Sequence, residues 1–75
     1  MAKVNLYPNL LAELARADIS KTELAGVLDI HLNTLCNKLS GKSDFTLSEA
    51  RITRAYIEKK TGQTIAFNRL FSIVN

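Results

Sequence analysis

Apolar residues recur along most of the chain at spacings of three and four, with polar or charged residues between them. That is the period of half-buried helices. Leu10, Leu11, Leu14 and Ala15 form the first such face. Pro8 precedes them and suits a first helical turn, where its missing N–H leaves no bond unmade. Residues 8–17 are therefore predicted as helix 1, closed by Asp18-Ile19. Two helix-start signals follow, Ser20-Lys-Thr-Glu23 and Thr46-Leu-Ser-Glu49. In each, the hydroxyl accepts from an amide of the first turn while the Glu carboxylate reaches back to the cap amide. They predict helix 2 from about Lys21 to Leu28, with Leu24, Ala25 and Leu28 inward, and helix 4 from Leu47 to about Thr61.

Between these signals lies a second short periodic run. Asp29-Ile30-His31 reads as a turn, and Leu32 to Leu39 as helix 3, with Leu35 and Leu39 inward. Gly41 stands where a left-handed residue ends such a helix, and Gly62 does the same after helix 4. Phe45, just before the Thr46 cap, is placed as a staple residue. Residues 63–71 are expected to form a short fifth helix, while the tail 72–75 receives no assignment. Strand signals are weak throughout, so the expected architecture is an all-α, five-helix bundle forming one domain over residues 1–75. Residues 20–41 then form a helix-turn-helix.

Helix 4 is apolar on two sides, with Leu47, Ala50 and Ile57 on one and Ile52 and Tyr56 on the other. Two faces need two covers. Helix 1 and the helix-turn-helix are expected over one, and Phe67, Leu70 and Phe71 or a second subunit over the other.

Composition narrows the class. The chain has 75 residues, 47% of them hydrophobic, which is too many for a disordered segment. Its net charge of +3 is compatible with a polyanion but does not require one. Position is more telling: no Asp or Glu occurs from Ile30 through Ser43, where His31, Lys38 and Lys42 fall. Arg51, Arg54, Lys59 and Lys60 are interleaved with Glu49 and Glu58, as on an ordinary solvated face. The one cysteine, Cys36, excludes an internal disulfide framework and a Cys-rich zinc site, and a reduced, cytoplasmic setting is expected. Neither an apolar run of the roughly 18 residues that span a bilayer nor a signal-peptide core is present, so no membrane partner is expected. No Ser/His/Asp or Cys/His arrangement, metal-ligand cluster or Gly-rich phosphate loop occurs. The chain is expected not to be an enzyme, and to use no metal, cofactor or small-molecule substrate.

The run Ser20-Lys-Thr-Glu-Leu-Ala-Gly-Val-Leu-Asp-Ile-His-Leu-Asn-Thr-Leu-Cys-Asn-Lys-Leu-Ser-Gly-Lys42 resembles the Cro/repressor-type helix-turn-helix family of phage and bacterial transcription regulators. Ser43-Asp-Phe-Thr-Leu-Ser-Glu-Ala50 is similar to the loop and fourth helix of its small phage members, and the likeness covers about residues 8–71. Three positions depart from the family pattern. Asp29 stands where Gly is usual in the turn, Lys38 where an apolar residue is usual, and Cys36 where a polar one is usual.

The resemblance implies a sequence-specific regulator that binds a double-stranded DNA operator, a phage or prophage repressor or Cro-like protein, placing helix 3 in the major groove. By position, His31, Leu32, Asn33 and Asn37 would contact bases, and Lys21, Thr34, Lys38 and Lys42 phosphates. Asn pairs with adenine and Leu meets a thymine methyl, whereas Lys fixes register on the backbone. His31 also fits the cap of helix 3, and Thr34 fits the filling of its first turn. A homodimer, formed free or only on DNA, would span half-sites about 34 Å apart. With Lys21, Lys38 and Lys42 on phosphate in both halves, the log–log salt slope would be near −5, at 0.9 per contact. The alternative is an antitoxin-like or anti-regulator module that keeps the fold and binds protein rather than bases.

Overall fold

A computed structural model describes residues 7–72, whose regular structure is entirely helical. The elements are α1 (Pro8–Arg16), α2 (Lys21–Leu28), α3 (Leu32–Ser40), α4 (Leu47–Thr61) and α5 (Phe67–Leu70). Residues 1–6 and 73–75, including most of the unassigned tail, lie outside the described residues. No helix among those described is long and apolar enough to cross a membrane.

Local chemistry accounts for most of the boundaries. Pro8 opens α1 without a side-chain cap. Thr46 and Glu49 form the full reciprocal box at α4, with bonds of 3.1 and 3.0 Å. Ser20 makes only half of its box: its hydroxyl accepts from the Glu23 amide, but the Glu23 carboxylate turns away to Tyr56 and Lys60 on α4. The local signal at Ser20 therefore starts the helix while its acid serves a distant contact.

Three helices end in the same paired closure. At α1 the amide of Ile19 donates to Leu14, at α2 Ile30 to Ala25, and at α3 Lys42 to Asn37. Each is the outer bond of a Schellman motif, which needs one left-handed residue. Gly41 supplies it at α3, but Asp18 and Asp29 supply it at α1 and α2, both at φ 57°. Asp tolerates this conformation better than most residues yet still pays steric strain. Its carboxylate also sits at the negative end of the α2 dipole. Asp29→Gly is therefore expected to raise stability by about 0.5–1 kcal/mol. A urea midpoint that stays put or falls would show that the turn draws on the Asp side chain.

α2 packs on both α3 and α4, while α1 packs on α5. Leu10, Leu24, Leu35, Ile57 and Leu70 are fully enclosed, drawing every helix into one core. Asn9 on α1 donates to the Arg69 carbonyl on α5 at 2.9 Å, fixing that pair.

The structure corrects three expectations about packing. Ala15 is exposed, because the inward stripe of α1 is carried by Leu10 and Leu14. On α4, Leu47 is 61% exposed, and Thr53 takes the inner place between Ala50 and Ile57. Thr53 can be buried because its hydroxyl donates to the Glu49 carbonyl at 2.8 Å. The α5 aromatics do not cover the second side of α4. Phe71 instead meets Tyr7 and Phe45 edge-on at 5.8 and 5.5 Å, with Phe67 beside it, and Ile52 stays 44% exposed. Such edge-to-face contacts add to the burial term and hold the α3–α4 loop against both chain ends of the core.

Candidate nucleic-acid interface

α3 divides sharply into two sides. At about 100° per residue, Leu35, Lys38 and Leu39 fall together and are buried. Asn33 and Asn37 are exposed on the other side, and Leu32, also exposed, lies at the edge of the buried stripe beside Leu39, with Cys36 and Ser40 half-buried between it and the asparagines. Leu32 is 42% exposed, so packing covers only part of this apolar side chain.

The outward side chains are also spare. Among the described residues, those of His31, Asn33 and Asn37 enter no hydrogen bond of the fold. Asn37 serves the fold through its backbone alone, its carbonyl accepting from the amides of Lys42 and Ser43 and from the Ser40 hydroxyl. His31 occupies the cap position of α3 without a side-chain cap bond, which leaves its ring available. Thr34 is half-buried at the margin of the exposed side.

The four expected phosphate contacts separate. Lys21 and Lys42 are exposed and hold no ion pair among the described residues. Lys42, just past the end of α3, is favoured there by the helix dipole. Lys21 opens α2 at the positive end of its dipole, where a cation costs stability, so the fold does not account for it.

Lys38 is a correction. Its ammonium lies 2.9 Å from the Glu49 carboxylate and donates to the Asp44 carbonyl at 2.9 Å, with the side chain 10% exposed. The Phe45 ring lies 6.0 Å from the ammonium. Lys38 is thus an internal strut joining α3 to the start of α4, and no ammonium is presented to a ligand. The stem of this lysine packs inside and its charge is neutralised there. Thr46's amide and the Lys38 ammonium together hold the Glu49 carboxyl below its ordinary value.

A second polar link sets α2 against α4. The Tyr56 hydroxyl donates to Glu23, and Lys60 pairs with the same carboxylate at 3.3 Å. The Tyr56 bond, then Lys60, lower the Glu23 pKa, and the shared carboxylate raises those of Tyr56 and Lys60. Apolar spacing along α4 predicts only a packing role for Tyr56. The signal for its polar role was the tyrosine hydroxyl itself, which seeks a partner when its ring is packed.

The remaining cations behave as a mixed surface. Arg16 pairs with Glu13 and Arg54 with Glu58, while Arg51, Lys59 and Arg69 are exposed. The Glu58 carboxylate also accepts from the Ile65 amide, and that bond is the main reason its pKa is lowered. No group of three His, Cys, Asp or Glu able to hold a metal occurs among the described residues. No protein-family model, curated protein or solved structure matches the chain.

Proposed function

We propose that the chain is a sequence-specific, double-stranded DNA-binding transcriptional regulator of the phage or prophage repressor/Cro-like kind. In this reading α2 and α3 are a helix-turn-helix, and α3 enters the major groove. The observation that carries it is the outward side of α3: hydrogen-bonding amides that the fold does not use, with a partly exposed leucine at its edge. The buried contacts of Leu24, Ala25, Leu28, Leu35 and Leu39 support it, because they hold α3 rigidly while its other side faces out. Lys21 and Lys42 serve as phosphate contacts that set register.

Removing Lys38 from the phosphate set changes the expected salt dependence. A dimer with Lys21 and Lys42 on the backbone in each half has four contacts, giving a log–log slope of about −3.6 at 0.9 per contact. Fluorescence anisotropy of a labelled duplex over a salt series measures it. A slope near zero, or no binding at low salt, would remove the DNA reading.

The second reading, a protein-interaction module, draws on a different observation. Leu47 and Ile52 on α4 are exposed, and Leu47 borders a shallow apolar groove with Tyr7, Phe45, Phe67 and Phe71. The same exposed α4 residues serve the dimer that the DNA reading requires. Sedimentation as a monomer both free and on DNA would remove that use of α4.

A further inference from the structure

We infer that the base pairs read by Leu32, Asn33 and Asn37 of α3 are A·T pairs. This rests on the DNA-binding reading above and adds to it the chemical class of base recognised. The outward side of α3 carries Leu32, Asn33, Cys36, Asn37 and Ser40, and none of these is Lys, Arg, Asp or Glu. The single lysine of the helix points the other way, locked on Glu49 and the Asp44 carbonyl.

Major-groove chemistry turns this absence into a preference. Guanine offers two acceptors, best matched by Arg or Lys, and cytosine offers an amino donor, best matched by Asp or Glu. Neither partner type is present on this side. Adenine offers one acceptor beside one donor, which the Asn amide matches with two bonds, and thymine adds a methyl that favours apolar contact. Asn33 and Asn37 supply the first, and Leu32, with its exposed methyls, the second.

Spacing makes the inference sharper. Residues four apart in a helix are separated by about 6 Å along its axis. Successive bases of one strand rise about 3.4 Å. With α3 along the groove, the two asparagines face adenines about two base steps apart. His31, at the start of the helix, can bond either purine, so the pair it faces is not part of the inference.

The test uses the full chain and a pool of random duplexes, from which bound sequences are selected and then chemically altered. Enrichment of half-sites with A·T pairs two steps apart is expected. Replacing the adenine opposite Asn33 by 7-deazaadenine, which lacks the N7 acceptor, should weaken binding about tenfold. The same replacement should change little for Asn33→Ala, because the amide is already gone. Replacing thymine by deoxyuridine opposite Leu32 should weaken binding about fourfold, the worth of one buried methyl.

Enrichment of G·C half-sites would overturn the inference and leave the DNA reading standing. So would a deazaadenine penalty that persists undiminished in both Asn33→Ala and Asn37→Ala. No enrichment at all, with a flat salt series, would sink the DNA reading and the inference with it.

Discussion

Leu35→Ala is expected to destabilise the protein by about 3 kcal/mol, the middle of the range for truncating an enclosed leucine. Leu35 has no exposed surface and stands on the inner side of α3 among Leu24, Leu28 and Leu39. A chain of this length holds only ~4–11 kcal/mol of stability, so the loss removes a large fraction of it. At 4–8 °C per kcal/mol, the melting temperature should drop by roughly 12–24 °C. Leu32→Ala, three residues earlier on the same helix, should stay within about 0.5 kcal/mol of the parent. Thermal and urea unfolding of both variants measures the contrast. Equal losses at the two positions would mean that α3 is rotated from the orientation described, and the proposed reading side would be lost with it.

The second large effect belongs to Lys38. Lys38→Ala strips the partner from Glu49, frees the Asp44 carbonyl and empties the space of the lysine stem. Breaking a buried pair from one side costs 3–5 kcal/mol. Glu49 keeps its bond to the Thr46 amide and some exposure, so about 2 kcal/mol is expected. Lys38→Met restores the stem without the charge and should recover roughly half of that. Acid should narrow the gap between parent and Lys38→Met. Glu49 has a lowered pKa in the folded state, so its contribution is full above the unfolded carboxyl value of about 4.3 and fades as pH falls through the lower folded value. Glu23 and Glu58 are shifted the same way and lose their contributions over the same acid range in both proteins. A gap independent of pH would mean that Lys38 acts by packing alone. The salt slope for DNA supplies an independent check. An internal Lys38 leaves it unchanged in Lys38→Met, whereas a phosphate contact would make it shallower by about 0.9 for each protomer.

What was legible in the sequence was what neighbouring residues decide. The starts of α2 and α4 and their ends at Leu28 and Thr61 follow from caps, a left-handed Asp or Gly, and spacing. All of these act within a few residues. The number of helices and the inward leucines of α2 and α3 followed from the same signals, but α5 is confined to Phe67–Leu70 where a helix over 63–71 was expected. What was hidden depends on partners far along the chain. Glu23 looked like the second half of a capping box, yet its carboxylate is taken by Tyr56, 33 residues away. Lys38 showed its charge in the sequence but not the half-buried Glu49 that neutralises it. The aromatic residues 7, 45, 67 and 71 are scattered in order and gathered in space. At the candidate interface, exposure of Asn33 and Asn37 agreed with helical spacing, because a helix with one buried stripe must turn its opposite residues outward, whereas Leu32 is exposed although spacing sets it beside Leu39.

The side chains of Asn33 and Asn37 are uncoupled from the bonds that keep the molecule folded, and this bears on how such a protein could change over generations. Replacements at residues 33 and 37 would alter chemical affinity while leaving melting behaviour almost untouched. Target preference could then drift one position at a time, without passing through unfolded ancestors.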